Sequence, residues 1–307
     1  MELTDKDLPA LFAEVSNWGR WGADDEAGTV NLIGPAERIR ALSSVTDGVL
    51  ISCSRDIEKT VSEHNLNPAV WSLIQGGDVA PTTGAGVTTD RLMIAPHGGT
   101  FTHLDALCHV SFDGQTYNGR PVSLVASNGI GANDLSAMLD GVVGRGVLID
   151  IPALRGVDFI PVDDPIRIEE LYAAEREFGI TVEPGDIVAV NVGRDARVRV
   201  EGVGCERVDG RTTLAGMTPE CLRWLRQRDV GVLIGEGGHD FLPRKGAYAP
   251  IHVGALVYMG LPLVDNATFE RLIGYARQTN RWSFAFTLVP LRCFGTTGAA
   301  INPIAIF

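Results

Sequence analysis

Strand-like and helix-like patterns alternate through the second half of this 307-residue chain, and this alternation limits the fold more than any other feature. Short apolar runs bounded by turn residues predict strands, and apolar residues at helical spacing predict helices between them. The predicted strands are 146–151, 187–192, 230–234, 261–264 and 282–288, and the predicted helices are 34–42, 164–178, 218–228, 253–259 and 268–277. The pattern indicates an α/β or α+β fold with a mixed sheet, in one domain that spans residues 1–307.

The composition is that of a globular protein large enough to bury a substantial core, with 45% hydrophobic residues. A net charge of −12 argues against binding nucleic acid through its phosphates, which requires clustered lysine and arginine. The chain begins without a secretory pattern and has no apolar run near the roughly 18 residues of a membrane span. Five scattered cysteines argue against a disulfide framework. We therefore expect a cytoplasmic protein without a nucleic-acid or membrane partner.

Three of the six histidines lie within thirteen residues of one another, around a single aspartate. His103 and Asp105 stand two apart, so an extended backbone directs both side chains to the same face. Asp105 and His109 stand four apart, so a helical turn after Asp105 would bring these two together as well. Histidine and aspartate are common ligands of zinc, manganese and iron. The cluster, which begins at His97, therefore predicts a metal site.

Further ligands have to come from elsewhere in the chain. His252 and His239 are the candidate histidines, and Asp265 closes a predicted strand after His252, where it could bind the metal or orient a ligand. A divalent metal with an open position activates water and polarises a carbonyl, and a histidine that titrates near neutrality can carry the proton. An iron(II) oxygenase would use the same ligand types. Cys108, beside His109, is a weaker alternative as a nucleophile.

The segment 64–90 is rich in Asn, Gly, Thr and Pro, which predicts a long loop just before the histidine cluster. Long loops inside compact domains are often functional, so this one is a candidate pocket wall or lid. Its Trp71 is a candidate substrate contact, whereas His64 is expected to face solvent. Residues 92–95 predict a short buried strand that delivers His97.

Beyond these patterns, the chain resembles the cyclase family of metal-dependent hydrolases, which includes bacterial kynurenine formamidase and isatin hydrolase. The family signature is His-x-Gly-Thr-His-x-Asp-x-x-x-His, and residues 102–109 match its second half. The resemblance continues at residues 21–32, at Pro250-Ile-His252 with Leu263-Val-Asp265-Asn266, and at residues 290–303. It implies a swivelling β/β/α fold that commonly assembles as homodimers or homotetramers.

The resemblance also implies roles for individual residues. His103, Asp105 and His252 would bind a divalent metal, zinc or manganese, and Asp265 stands where shorter members carry a glutamate ligand. His109 would be the catalytic histidine or a ligand of a second metal. Such a site would serve a hydrolase that opens an amide, imide or lactone bond in a small substrate, cyclic ones included.

One departure from the signature concerns its first histidine. That residue should stand four positions before His103, where this chain has Gly99. His97 stands six positions before and is the candidate substitute, which would either reach the metal by a different loop path or only line the pocket.

A second departure lies at Gly235-Glu236, where longer members often carry Ser-Asp. It leaves a second metal in doubt and leaves Glu236 and Asp240 without a role, whereas His239 is a candidate substrate contact. Two further functions stay open at this point. One is a cyclase, dehydratase or isomerase that adds no water, and the other is a binding protein of the same fold.

Overall fold

The computed structural model describes residues 3–62, 65–202, 207–208, 211–212, 214–241 and 249–307, so that His64 lies outside the described residues. The helices are Leu8–Val15 (α1), Pro35–Ser43 (α2), Ile151–Arg155 (α3), Ile168–Glu177 (α4), Arg194–Glu201 (α5), Cys221–Gln227 (α6), Pro250–His252 (α7, continued as a π-helix over Val253–Met259) and Glu270–Thr279 (α8). None of the helices in the described ranges is both long enough and apolar enough to cross a lipid bilayer.

The strands follow the same numbering along the chain. They are Leu50–Ser52 (β1), Val70–Gln75 (β2), Thr89–Met93 (β3), His103–Asp105 (β4), Gln115–Thr116 (β5), Arg120–Pro121 (β6), Val125–Ala126 (β7), Gly129–Ile130 (β8), Val142–Asp150 (β9), Ile187–Asn191 (β10), Arg207–Val208 (β11), Arg211–Thr212 (β12), Val232–Gly235 (β13), Leu263–Asp265 (β14), Ser283–Leu288 (β15), Gly298–Ala300 (β16) and Ile304–Ile306 (β17).

A nine-stranded mixed sheet organises the described part of the chain, in the order β1-β17-β15-β9-β10-β13-β14-β4-β16. Its centre is formed by β9, β10, β13 and β14, which pair in parallel as expected for strands joined by helices. β15 joins β9 and β4 joins β14, both antiparallel. The predicted mixed α/β class, with the swivelling β/β/α fold, is confirmed.

Apolar layers cover both faces of the sheet, because the central strands carry apolar side chains on both sides. On one face, Val147 of β9 belongs to a buried cluster with Phe12 of α1 and Trp224 of α6. On the other, Leu148 of β9 belongs to a cluster with Leu272 of α8 and Phe284 of β15. Neighbouring residues of one strand thus enter opposite cores, which fixes the direction of every side chain along it.

The edge where the parallel strands end is the edge that carries the histidines. β13 ends there at Gly235, β14 ends there at Asp265, and β4 begins there at His103, because it runs antiparallel to β14. Ligands of α/β proteins usually bind at the carboxyl ends of parallel strands. Residues far apart in the chain are therefore brought to one place by strand order.

The predicted loop at 64–90 was wrong in part. β2 and β3 form an antiparallel hairpin in which Trp71 pairs with Leu92 and Val70 pairs with Met93. Turn-forming residues are concentrated in the connection at 76–88, whereas the flanking residues have the apolar side chains of strands. The strand predicted at 92–95 is exposed rather than buried and ends at Met93.

The start of the helix predicted at Asp164-Pro165 was also wrong. α4 begins at Ile168, and its preceding residue Arg167 has an extended backbone. Arg155 donates hydrogen bonds to the Asp164 carboxylate and to the carbonyl oxygens of Asp164 and Pro165. The Asp164 carboxylate is therefore used in an ion pair with Arg155 and lies outside the helix.

Gly146 of β9 gives a test of how closely β9 packs on β15. A Cβ at Gly146 would lie 2.3 Å from Cε2 of Phe284, whereas a Cβ at Gly274 of α8 would meet no atom within 4 Å. Overpacking should make Gly146→Ala less stable than the parent by about 1–3 kcal/mol. Gly274→Ala should be more stable by about 0.5–1 kcal/mol, since alanine favours helix. Urea unfolding measures the free energy of unfolding of both variants, and a Gly146→Ala variant as stable as the parent would contradict this packing.

Candidate metal centre

Asp105 lies at the middle of the site and is fully buried. Leu104 packs into the layer with α8, so its neighbours His103 and Asp105 point to the opposite face of the sheet. In the adjacent strand Asp265 pairs with His103, and in a paired register both side chains point to that same face. The sequence spacing and the strand register together place these three side chains side by side.

Several buried polar atoms at this point have no hydrogen-bond partner. They are both carboxylate oxygens of Asp105, Oδ1 of Asp265, Nδ1 of His97 and Nε2 of His239. His97 Nδ1 lies 2.9 Å from Asp105 Oδ1, and His103 Nε2 lies 3.4 Å from the same oxygen. Leaving a buried carboxylate without a donor costs several kcal/mol, by the general behaviour of buried charges. A cation bound among these atoms would remove that cost.

The imidazole ring of His97 lies in a space left open by residues at the start of β16. Its Nε2 lies 2.9 Å from Thr297 Oγ1, so its Nδ1 is the atom directed at Asp105. A Cβ at Gly298 would lie 2.7 Å from Cε1 of His97, so glycine leaves the space that the imidazole ring occupies. The ring therefore lies against the strand that borders β4.

The loop after His97 is held by two side chains from distant elements. Asn266 donates from Nδ2 to the Gly98 carbonyl at 2.6 Å, and Arg194 donates from Nη2 to the Gly99 carbonyl at 2.8 Å. Arg194 also donates to Oδ1 of Asn266, which joins the two supports. These bonds fix the path of the loop. Along this path His97, which stands two residues before the signature position, reaches Asp105.

His109 also enters the site, but not on a helix. The residues after β4 form a turn in which the His109 N–H donates to the Ala106 carbonyl, and the helical turn considered from the spacing does not form. The turn nevertheless stacks the His109 ring on the His97 ring, with centroids 3.7 Å apart. Burial lowers the pKa of His109, and the nearby Asp105 opposes that shift only in part. The lowered pKa favours the neutral form of the His109 imidazole.

Asp265 connects the first group to two further histidines. Its Oδ1 lies 3.1 Å from His239 Nε2, and its Oδ2 lies 3.3 Å from His252 Nε2. Burial by itself raises the pKa of Asp265, but His252 and His239 outweigh burial and hold that pKa well below its usual value. Burial lowers the pKa of His252, but Asp265 and Asp240 outweigh it and hold that pKa well above its usual value.

Two overlapping sets of side chains offer ligand atoms that lie within 4.8 Å of one another. One set is His97, Asp105 and His109, and the other is His103, Asp105 and Asp265. Both combine imidazole nitrogen with carboxylate oxygen, which suits zinc, manganese or iron. The residues present thus fit a divalent metal, and Asp105 belongs to both sets.

The structure brings together most of the residues singled out from the sequence, namely His97, His103, Asp105, His109, His239, His252 and Asp265. Trp71 is not among them. It lies half-exposed on the hairpin, where its Nε1 donates to Asp90 and Lys59 lies over its ring.

Glu236, which the sequence left unassigned, has a different use. Its Oε2 accepts hydrogen bonds from the N–H groups of Val192, Gly193 and Arg194, at the start of α5. Burial raises its pKa to about 7. The carboxylate therefore anchors the loop between β10 and α5.

Cys108 was a weaker alternative as a nucleophile, and its surroundings argue against that role. The side chain is buried, and burial raises the pKa of its thiol to about 12. The thiolate is the reactive form of cysteine, so a thiol with this pKa is a poor nucleophile at neutral pH.

Sequence reasoning missed several polar residues that contact the histidines or their loop. Asp240 accepts from His252, Thr297 contacts His97, and Asn266 holds the loop after His97. Asp240 and Asn266 each follow a candidate site residue directly in the chain, which was the one signal available. Thr297 stands 200 residues after its partner, and no spacing pattern reveals such a contact.

Comparisons with known proteins identify the family of the chain. A family model named Cyclase, described as "Putative cyclase", matches residues 51–237, more than half of the chain. The chain belongs to the Cyclase family. A comparison with curated proteins finds no match.

Solved structures of the same family share the fold. The crystal structure of "a novel cyclase" is 23% identical, with 95% of this chain and 99% of that chain covered and a TM-score of 0.85. An isatin hydrolase bound to the product analogue thioisatinate is 14% identical, with 88% and 95% covered and a TM-score of 0.61. Isatin hydrolase A from Labrenzia aggregata, bound to benzyl benzoate, is 16% identical, with 87% and 98% covered and a TM-score of 0.59.

Asp105 is the residue whose change should separate metal binding from folding. Asp105→Asn removes the charge shared by both ligand sets. Loss of a residue that only hydrogen-bonds a metal ligand typically costs about 10–100-fold in affinity, so the affinity of Asp105→Asn for Zn²⁺ and Mn²⁺ should fall by more than about tenfold. The metal-free variant should be at least as stable as the metal-free parent, because two buried carboxylates no longer repel each other.

Plasma mass spectrometry of the purified proteins and urea unfolding in EDTA measure the two effects. Asp186→Asn is the matched control, since Asp186 is a buried carboxylate that pairs with Arg145 rather than with a histidine. Full metal content in Asp105→Asn would contradict the site.

Proposed function

We propose that the protein is a metal-dependent hydrolase that opens an amide, imide or lactone bond in a small substrate, cyclic ones included. One observation carries the proposal. Buried oxygens of Asp105 and Asp265 lie 2.9 and 3.1 Å from imidazole nitrogens of His97 and His239, and these four atoms make no well-aligned hydrogen bond. Membership of the Cyclase family and a fold shared with isatin hydrolases support a hydrolase-type or cyclase reaction.

The proposed ligands are a central group of four residues and a peripheral pair, His97 and His239. His103, Asp105, His252 and Asp265 would hold the ion, zinc or manganese, and His97 would complete the set. When bound, the ion would polarise the scissile carbonyl and activate water. His239 is buried with Nε2 directed at Asp265, and this position favours a ligand role over the substrate contact expected from the sequence.

His109 is the residue that we assign to proton transfer. It is less buried than His103, it stacks on His97, and its lowered pKa keeps it able to accept a proton at neutral pH. A general base of this kind would take a proton from the attacking water and return it to the leaving group, which typically contributes 10²–10⁴-fold to the rate.

A second reaction class is supported by the description of the family as a cyclase. A cyclase, dehydratase or isomerase would use the same polarised carbonyl without adding water. A binding protein that has lost catalysis would keep ligand and metal affinity without turnover. Substrate turnover in ¹⁸O-labelled water separates these possibilities, because only hydrolysis introduces solvent oxygen into the product.

His109→Ala is the variant that tests the proposed mechanism. It should keep its metal and lose about 10²–10⁴-fold in kcat, while KM changes little, because the residue acts on the proton and not on substrate affinity. The measurement is turnover of a panel of lactones, cyclic imides and formamides, with metal content recorded for each protein. Loss of metal in this variant would make His109 a ligand, and full activity would remove it from the mechanism.

We also propose that the protein is a homodimer or homotetramer held together by the hairpin of β2 and β3. Val70, Trp71, Leu73, Leu92 and Met93 are apolar, and each is 46% or more exposed. A two-stranded hairpin is marginally stable alone in water, so a surface of this kind favours burial against another copy. A groove of about 530 Å³ at the base of the hairpin, which includes Leu92 and Leu291, would take part in the contact. Trp71 would act as a substrate contact only through such an assembly.

Leu73→Asp tests the assembly directly. Placing a charge on the hairpin should convert the oligomer to monomer in sedimentation equilibrium, while Val200→Asp, on the exposed face of α5, should leave the mass unchanged. A wild-type protein that sediments as a monomer would contradict the proposal.

We further propose that the partner is a small molecule in the cytoplasm and not nucleic acid or membrane, which rests on the net charge of −12 and the scattered cysteines.

A further inference from the structure

Asp240 is a buried carboxylate next to the metal site with no role in the mechanism described so far. It is 1% exposed and follows β13 by five residues. Its position is fixed by short contacts, since the Met217 N–H donates to the His239 carbonyl, and a Cβ at Gly216 would lie 2.3 Å from the backbone carbon of Asp240. The backbone around Asp240 therefore has little freedom to move.

The Asp240 side chain makes three hydrogen bonds to the start of α7. Oδ1 accepts the Ile251 N–H at 2.7 Å, Oδ2 accepts the His252 N–H at 3.2 Å, and Oδ2 lies 2.5 Å from His252 Nδ1. Pro250 begins this helix and has no N–H, so the two amides that Asp240 accepts are the first ones available. One carboxylate thus caps the helix and contacts the ring that the helix carries.

The contact with the ring determines where the imidazole keeps its hydrogen. Both Asp240 oxygens already accept backbone N–H groups, so Nδ1 of His252 is the donor in the short contact and carries the hydrogen. The other ring nitrogen, Nε2, lies 3.3 Å from Asp265 Oδ2. With Nδ1 occupied by the contact to Asp240, Nε2 is the ring nitrogen left to bind an ion, which would replace the hydrogen that Nε2 directs at Asp265 in the metal-free protein.

We propose that Asp240 is a positioning residue that fixes the Nδ1–H form of His252 and thereby presents Nε2 to a divalent ion beside Asp265. The proposal rests on the metal-dependent function proposed above. A histidine ligand that donates its second ring hydrogen to a carboxylate is a stronger and better oriented ligand than one without that partner.

The other histidines of the site show what is particular to Asp240. His103 Nδ1 lies 2.8 Å from the Phe101 carbonyl, and His97 Nε2 lies 2.9 Å from the Thr297 hydroxyl. Both of those partners are neutral, whereas Asp240 brings a negative charge. Charge-assisted hydrogen bonds are roughly twice as strong as neutral ones, so Asp240 should have the largest effect of the three on ligand basicity.

Two substitutions separate the positioning role from the helix cap. Asp240→Asn can still accept the Ile251 N–H, but its amide nitrogen would donate to His252 Nδ1 and move the ring hydrogen to Nε2. Asp240→Ser keeps a short acceptor for the helix start and removes the contact with the ring. Asp150→Asn is the matched control, because Asp150 is a fully buried carboxylate that caps α3 at the Ala153 N–H, outside the site.

The affinity of each EDTA-stripped protein for Zn²⁺ and Mn²⁺ is measured by competition with a chromogenic chelator, and urea unfolding in EDTA reports the stability of the metal-free form. Both Asp240 variants should bind metal about 10–100-fold more weakly, and Asp150→Asn should bind as the parent does. In the Zn²⁺-loaded parent, ¹⁵N-histidine spectra should show a hydrogen on Nδ1 of His252, and this measurement decides the question even where the variants do not fold.

Parent-like affinity in folded Asp240→Asn, or a hydrogen on Nε2 of His252 in the loaded parent, would overturn the positioning role alone. A parent protein that binds neither ion would instead overturn the proposed function, together with the inference that rests on it.

Discussion

The close approach of two buried carboxylates, Asp105 and Asp265, is the constraint on which the rest of the site depends. Their oxygens and His103 Nε2 lie within 4.8 Å of one another. Like charges at this distance in a low dielectric repel strongly, and neither Asp105 oxygen accepts a well-aligned hydrogen bond, although His97 Nδ1 lies 2.9 Å from Oδ1. A fold that keeps such a pair needs positive charge between the two carboxylates. The surrounding imidazoles lie where they could bind a metal ion, which would add its charge to theirs.

The sheet explains how this costly arrangement is held. His103 and Asp105 are on one strand, Asp265 is in register on the next, and the alternating residues Leu104 and Val264 are buried in the opposite core. A slip of one residue would exchange polar and apolar faces, so the hydrophobic core enforces the alignment of the ligands. The stability of the apolar layers thus offsets the electrostatic cost of the site, and metal binding would return part of it.

Local patterns predicted the parts of the site that depend on local geometry. The two-residue spacing of His103 and Asp105 was sufficient, because β4 is extended and strand periodicity fixes both directions. His109 reached the predicted place by a turn instead of a helix, since either conformation brings the chain back toward β4. The alternation of strands and helices likewise predicted an α/β or α+β fold with a mixed sheet, and the sheet is mixed.

Contacts between distant segments could not be predicted in the same way. The loop that follows His97 is held by Asn266, which stands 168 residues after Gly98. The space for the His97 ring depends on Gly298, in a strand that pairs with β4. The hairpin of β2 and β3 was hidden by the turn-rich composition between its strands. Such features depend on tertiary partners that no spacing within one segment encodes.

Anomalous diffraction from crystals soaked in MnCl₂, recorded on either side of the manganese absorption edge, tests the central claim most directly. The account predicts a manganese peak within bonding distance of both Asp105 and an imidazole nitrogen of the cluster, with Asp265 directed toward it. An anomalous map with no peak beside Asp105, or with the manganese bound only elsewhere on the protein, would contradict the claim that these two carboxylates are kept close in order to hold a metal.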